Sequence, residues 1–464
     1  MKRIFLFLAF AAMTAFAVAC NEPVTPDNPD NPDNPDDPNP PTPVVTLYDI
    51  SVQLVSEGAN FTVEGINVNL IDANGVSYDT ATDATGKVTF KVPAGTYTAS
   101  ATYKTAEDGK RIAFNGSNSN FSVSESATAF TIDLNKVVSQ QIIIKEFYST
   151  GCPRDNGTDT YSDDAYVILY NNSEYEADAS DIVFGISLPS NGHATSGNAY
   201  LKDGKLSFED LDWMPAQSAI WWFTNPVTIP AYSQIVIAIF GCIDHTATVK
   251  ASVDLSNSEY YWMSNTEIST IYKHNKIKSS DNIPTSHYLN CKPFGQSTSW
   301  LLSNNSPAFF IGKMAQSEVL ALSSNSDAFD HTMGTAAVYN AAKFPKANVV
   351  DCLDIWKGGS EEASYIRFSP ELNTGHVVIT INKGNTAYRN VDKEATEALE
   401  ENAGKLVYDY AGGTYDAETQ SGSTDPSGID AEASIANGAH IIYSDTNDTG
   451  KDFHVRAVST LKNK

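Results

Sequence analysis

Thr82-Asp83-Ala84-Thr85-Gly86-Lys87-Val88-Thr89-Phe90-Lys91-Val92-Pro93-Ala94-Gly95-Thr96-Tyr97-Thr98-Ala99-Ser100-Ala101 holds two short strand signals joined by a tight turn. Val88, Phe90 and Val92 alternate with polar residues, the period of a strand with one buried face. Pro93-Ala94-Gly95 turns the chain into a second strand that begins at Thr96. Gly86 and Gly95 suit turn positions with φ above zero, and Tyr97 is expected to pack inward. Working outward, Ile50–Leu54 and Ile66–Leu70 alternate in the same way, and Asp72-Ala73-Asn74-Gly75 reads as a turn. Short strands at this spacing predict a small β-sandwich over residues 44–136.

A second domain is expected over residues 139–464. Ile142-Ile143-Ile144-Lys145-Glu146-Phe147 is a continuous apolar strand with a polar end. Asp163–Asn172, Val227–Gln234, Ile235–Ala238 and Val349–Asp354 follow as further strand signals. Between them, residues 190–225 and 250–345 are insertions rich in Ser, Asn and aromatics. They are too long for ordinary loops and are expected to form extra strands or surface lobes. One helix is predicted from Val391 to Glu401, with Ala395, Ala398 and Leu399 on one face. Ser421–Ser434 is polar and of low complexity, and reads as an exposed loop.

These residues carry two resemblances. The Thr-Asp-x-x-Gly and Pro-x-Gly-x-Tyr pattern of residues 82–101 resembles carboxypeptidase-regulatory-like and prealbumin-like domains, modules that space or bind. Glu146, Tyr170-Asn171 and the later Val350-Asp351 resemble the lamin-tail domain, an immunoglobulin-like sandwich. Ile168 departs from that pattern where an acid is common, and Tyr232 departs where it has Gly. With Trp221-Trp222 and the ending Asp445–Phe453, the carboxy-terminal part also resembles an uncharacterised family of Bacteroidetes lipoproteins built on a domain of unknown function. The fold class expected is mainly β: a small immunoglobulin-like or prealbumin-like sandwich followed by a larger lamin-tail-like β-sandwich with long insertions.

The first residues add a location. Met1-Lys2-Arg3, an apolar run from Ile4 to Phe16 and Ala17-Val18-Ala19-Cys20 describe a secretory signal over residues 1–19. The pattern resembles a bacterial lipoprotein signal, which makes Cys20 the lipidated residue of an outer-membrane protein facing outside the cell. Several acyl chains give stable anchoring where one is marginal. Residues 20–43 hold the run PVTPDNPDNPDNPDDPNPPTP, which has almost nothing to bury. In polyproline geometry its twenty or so residues reach up to ~60 Å from the lipid, so it reads as a tether.

Composition bounds the partners. The 464 residues carry 56 Asp and Glu against 30 Lys and Arg, a formal charge of −26. Such a surface repels phosphate backbones, so nucleic acid is not expected as a partner. Cys152, Cys242, Cys291 and Cys352 show no CxxC spacing, which argues against structural zinc. Export permits disulfides among these four, with three full pairings open, and simply buried thiols are the alternative. Asp79-Thr80-Ala81 fits the Bacteroidetes O-glycosylation acceptor, which makes Thr80 a candidate.

Asp155, Asp159, Asp163 and Asp164 place hard oxygens in one region, a candidate calcium site to weigh against solvated turns. Asp445–Gly450 has the opening of a calcium loop, but Arg456 stands where a bidentate Glu is required. No cofactor is expected. No GxSxG or cysteine-nucleophile signature appears, and the Ser459–Lys462 and Ser280-Asp281-Asn282 matches are in the wrong order for their family. With 56 acids, a carboxylate pair decides nothing. Trp222, Tyr260, Tyr261, Trp262 and Trp300 are the candidate ligand-binding aromatics, because exposed rings give rigid contact area.

The expected function is therefore a surface lipoprotein that binds rather than catalyses, with a TonB-dependent transporter as client for nutrient or chelated-metal capture. A glycan-binding or adhesion protein is the alternative, and a hydrolase with a site built from the insertions is the third reading.

Overall fold

Nine strands run from Leu47 to Val138: β1 (Leu47–Ser56), β2 (Ala59–Asn60), β3 (Asn67–Asp72), β4 (Ser77–Ala81), β5 (Lys87–Pro93), β6 (Gly95–Glu107), β7 (Lys110–Val123), β8 (Ala129–Asp133) and β9 (Asn135–Val138). The computed structural model describes residues 45–107, 110–192, 197–217, 219–263, 279–294, 302–324, 326–336, 339–358 and 365–462. The signal, Cys20 and the tether lie outside them. β2-β1-β5, with β8 parallel to β1, form one sheet, and β4-β3-β6-β7-β9 form the other. Val88, Phe90 and Val92 face inward while Lys87, Thr89 and Lys91 are exposed. Tyr97 is buried, and its hydroxyl donates to the Pro93 carbonyl at 2.9 Å. Gly86 has φ of 74°, and a Cβ there would lie 1.8 Å from the Phe61 carbonyl oxygen. Gly95 is not in the left-handed region, contrary to expectation: the turn into β6 needs no positive φ there.

The rest of the chain is built on two six-stranded sheets. The first has the order β16-β15-β11-β10-β23-β24, from β10 (Ile142–Tyr148), β11 (Tyr166–Asn171), β15 (Gln234–Ala238), β16 (Tyr261–Trp262), β23 (Thr386–Arg389) and β24 (Phe453–Arg456). The second has the order β17-β14-β12-β18-β21-β22, from β12 (Ile182–Ile186), β14 (Ala219–Trp222), β17 (Asn290–Pro293), β18 (Ala308–Lys313), β21 (Val349–Lys357) and β22 (Val377–Ile379). Their shared core contains Ile142, Ile144, Phe147, Phe184, Trp221, Phe309 and Leu353. A third layer covers the far face of the second sheet. It consists of β13 (Trp213–Gln217), β20 (Ala341–Pro345) and β19 (Phe329–Asp330), with helix α1 (Gln316–Ser324). Val183, Trp222, Phe310 and Phe344 fill that second core.

This layering explains the sequence of β10. Its outer face is also covered, by Tyr170, Tyr388, Ile429, Ile441 and Tyr443 around Ile143. A strand buried on both faces reads as a continuous apolar run rather than an alternation. The insertions supply the third layer, and also β14, β17 and β18 of the second sheet and β16 of the first. The pairing of β10 with β11 slips between Ile144 and Glu146, so Lys145 is an extra residue on one strand. Such a bulge re-aims side chains. Here it puts Lys145 and Glu146, both fully buried, where strict alternation puts one residue on each face.

Two expectations fail locally. The helix predicted over Val391–Glu401 is instead α2 (Lys393–Glu397) and a separate 3-10 turn, Glu400–Asn402. Asp392 caps α2, and the buried residue is Thr396, not the Ala395/Ala398/Leu399 face. Ser421–Ser434 is not an exposed loop throughout: Ile429 and Ser434 are fully buried, and α3 (Ala431–Ala436) starts there with Asp430 as its cap. Tyr232, standing where the lamin-tail pattern has Gly, has φ of 50° and stacks on His440 at 4.6 Å.

Candidate functional site

The structure disperses most of the residues singled out from sequence. Trp222 is 4% exposed and packs in the second core, while its neighbour Trp221 packs in the first. Adjacent residues on β14 face opposite sides, and both sides are covered. That removes Trp222 as a ligand platform. Trp262 is also buried, and its Nε1–H donates to the Phe240 carbonyl at 2.6 Å. Tyr260 is half-buried against the Trp262 cluster, whereas Tyr261 is half-buried against the first core and stacks on His287 at 4.4 Å. Trp300 lies outside the described residues.

The four aspartates do not converge. Asp155 and Asp159 face outward and accept from the Lys250 backbone N–H (3.0 Å) and the Asn156 amide (2.8 Å). Asp164 turns inward to the hydroxyls of Tyr148 and Ser252. Among the described residues, no group of three or more His, Cys, Asp or Glu is placed to hold a metal ion. The four cysteines are buried in four different apolar clusters, so of the two possibilities open from sequence, disulfides or simply buried thiols, the structure has the second. Thr80 is exposed on β4, an edge strand.

A cleft of about 650 Å³ does form, between the small sandwich and the larger body. One wall is Asn115 and Ser117 of β7 with Asp133 and Asn135 beside them. The opposite wall is Trp356 of β21, His376, Asn373 and Lys451. The indole of Trp356 stacks flat on the His376 imidazole, centroids 3.5 Å apart at 8°. Tyr365 meets the same indole edge-on at 5.3 Å. The indole N–H of Trp356 is buried and has no hydrogen-bond partner in the structure.

The backing of this wall is rigid for electrostatic reasons. Arg367, fully buried, donates to the Asp354 carboxylate and to the carbonyls of Pro307 (3.2 Å) and Ile355 (2.9 Å). Burial pushes the Asp354 carboxyl up from the ordinary range, and Arg367 opposes that shift. Asn373 accepts from the backbone N–H and the hydroxyl of Thr449, at 2.7 and 2.9 Å. Thr449 opens α4 (Thr449–Asp452), which presents Lys451 to the cleft. Gly375 lets the loop pass this helix: a Cβ there would lie 1.9 Å from Asp448 Oδ1. The half-buried His376 ring, backed by the buried Trp356 indole and facing amides, a carboxylate and an ammonium, suits a polar ligand held by hydrogen bonds.

None of the wall residues stands out in sequence except as part of a strand or turn. Trp356 follows the Val349–Asp354 strand signal directly. Residues 115–135 line the same cleft from a distant segment, and no local pattern encodes that juxtaposition.

No curated protein matches the chain. Among solved structures, it is similar to a DUF4876 family protein from Bacteroides thetaiotaomicron, at 16% identity and a TM-score of 0.49, covering 90% of this chain and 97% of that one. Fervidolysin from Fervidobacterium pennivorans, described as a keratinolytic enzyme related to subtilisin, matches at 17% identity and a TM-score of 0.18, over 30% of this chain and 27% of its own. Residues 232–460, from the approach to β15 through the end of β24, match the family described as a protein of unknown function (DUF4876).

Proposed function

We propose that the protein is a non-enzymatic binding module, held at the outer membrane by lipid on Cys20 and facing out of the cell. The lamin-tail likeness and the tether both support this reading. In it, the cleft captures a hydroxyl-rich nutrient, of which a glycan is the class its chemistry favours, and hands it to a TonB-dependent transporter. The observation that carries the proposal is the cleft itself. The half-buried His376 imidazole, backed by the buried Trp356 indole, offers a flat face for a sugar ring, and planar amides and carboxylates bond paired hydroxyls. Of the described tryptophans of the insertions, Trp221 packs in the first core, Trp222 in the second and Trp262 in the cluster of Cys242.

The test has two parts. Tagged protein is recovered from mildly solubilised outer membranes and its companions are identified by mass spectrometry. Recovery of one transporter at near-equal amount supports the accessory role, and recovery of the protein alone overturns it. Retention on a glycan array, lost in His376→Ala and Asp133→Ala variants that keep the native circular dichroism, supports the cleft. Retention unchanged by both variants places the site elsewhere.

A further inference from the structure

The bulge in β10 buries an amine among three rings and beside an amide and an acid. Lys145 Nζ lies 5.7 Å from the ring centre of Tyr170 and 5.6 Å from those of Tyr388 and Tyr443. It donates to Gln234 Oε1 at 2.6 Å and pairs with Glu432 Oε1 at 2.6 Å. The lysine side chain is 1% exposed and that of Glu432 is 15% exposed. The Tyr388 hydroxyl donates to the same Glu432 oxygen at 2.8 Å and lies 3.0 Å from the Tyr443 hydroxyl.

We propose that Lys145 and Gln234 condense into an intramolecular isopeptide bond, with Glu432 as the proton carrier. Three features distinguish this cluster from a plain buried ion pair. A carboxylate alone neutralises the ammonium, yet the amide oxygen sits equally close. With Nζ bonded to Oε1, the nitrogen is within about 3–3.5 Å of the amide carbon, the near-attack range. An amine desolvated by rings and set beside a base is the environment in which lysine acts as a nucleophile.

The step balances without any outside reagent. Glu432 takes a proton from the Lys145 ammonium. The freed Nζ lone pair attacks Gln234 Cδ and forms the new N–C bond. Glu432 returns that proton to the Gln234 nitrogen, the Cδ–Nε2 bond breaks, and Glu432 carries the second Nζ proton to the departing ammonia, which leaves as ammonium. Glu432 ends in its starting state, and the product is a secondary amide with no change of oxidation state. The rings of Tyr170, Tyr388 and Tyr443 wall the reacting atoms.

The topology gives the bond a purpose. β10 and β15 are not neighbours; both pair with β11, which lies between them. Gln234 stands opposite Tyr170 in that pairing, so Lys145 reaches over the Tyr170 ring. The bond staples three consecutive strands and fixes the bulge, close to α3, which brings Glu432. This inference is independent of any ligand in the cleft.

Peptide mapping of the native lipoprotein tests it. The expected result is a branched tryptic product joining the Lys145 and Gln234 peptides, lighter than their sum by one ammonia, with no cleavage after Lys145. Glu432→Gln is expected to fold with the branch lost or slow to form, and Gln234→Ala to lack it. Two linear peptides with cleavage after Lys145 overturn the proposal. A branch from Lys145 to Glu432, lighter by one water, overturns the assignment of Gln234 as the acceptor.

Discussion

Arg389 and Asp351 form an ion pair that joins the two large sheets through their shared core. Arg389 ends β23 in the first sheet, and Asp351 sits on β21 in the second. One Asp351 oxygen accepts from the guanidinium and also from the Ile144 backbone N–H, at 2.7 Å. The same guanidinium donates to the carbonyls of Ile144 (2.7 Å) and Ser444 (2.8 Å) and lies 3.5 Å from Asp445 and 3.7 Å from Asp452. Burial pushes the Asp351 and Asp452 carboxyls up, and Arg389 is the cation that opposes it.

Removing the cation is therefore worse than removing one acid. Arg389→Met leaves three buried carboxylates without their counter-charge and is expected to cost about 3–5 kcal/mol. Asp351→Asn keeps an acceptor for Ile144 and leaves the guanidinium two acids, so a smaller loss is expected. Arg389→Lys does not rescue, because an ammonium cannot make the forked set of bonds. Equilibrium urea unfolding measures all three; equal losses for Arg389→Met and Asp351→Asn refute the ranking.

His454 makes stability depend on pH. It is buried, its Nδ1 bonded to Asn390 Oδ1 and its Nε2 to the Tyr410 hydroxyl, both at 2.7 Å. Burial and then the nearby Arg456 depress its pKa from 6.5 to about 3. Between those values the unfolded chain binds a proton that the folded chain refuses. Stability therefore falls as pH drops through 6.5 toward 3, by up to ~1.4 kcal/mol per pH unit from this group. The buried aspartates, with raised folded pKa values, act in the opposite sense, so the contrast with His454→Gln isolates the histidine. Denaturation midpoints of the two proteins are expected to diverge between pH 7 and pH 4. Parallel curves sink the argument.

The sequence exposed the strands and concealed their surroundings. The 82–101 alternation and the 142–147 run were legible because period and run length report how many faces of a strand are buried. Lys145 and Glu146 read only as the polar end of a strand, because a bulge depends on a partner strand. The 391–401 stretch reads as one helix from its apolar spacing, but the Asp392 cap starts α2 at Lys393 and a separate 3-10 turn follows at Glu400. Residues 421–434 looked solvated because Asp425, Ser427 and Ser434 are polar, yet each is buried with backbone partners. Trp356 carries the cleft wall, and nothing local distinguishes it from the core tryptophans Trp221 and Trp222.

The body thiols are expected to be inert in the folded protein. Burial pushes both Cys152 and Cys242 up to about 12, and Cys352 is raised in the same direction. The thiolate is the reactive form, so alkylation needs unfolding. Iodoacetamide without reductant is expected to leave all four untouched in buffer and to label all four in guanidinium. Rapid native labelling, or a cystine peptide in a non-reducing digest, contradicts this.

The junction that forms the cleft is pinned by two lysines pointing in opposite directions. Lys104 of the small sandwich reaches Asp392 at 3.0 Å, and Lys451 of the body reaches Asn115 and the Thr102 hydroxyl, the latter at 3.3 Å. Among the described residues, each large apolar cluster lies wholly on one side of this junction. Lys104 and Lys451 are 39% and 36% exposed, so each bridge contributes under ~1 kcal/mol and weakens with salt. Replacing both with Met is therefore expected to leave the urea midpoint of the body unchanged while loosening the junction. Limited proteolysis between residues 134 and 142 is expected to accelerate, and the scattering radius to grow. High salt is expected to reproduce part of the effect in the unaltered protein. If neither cleavage nor scattering changes in the double variant, contacts other than these two lysines hold the cleft closed.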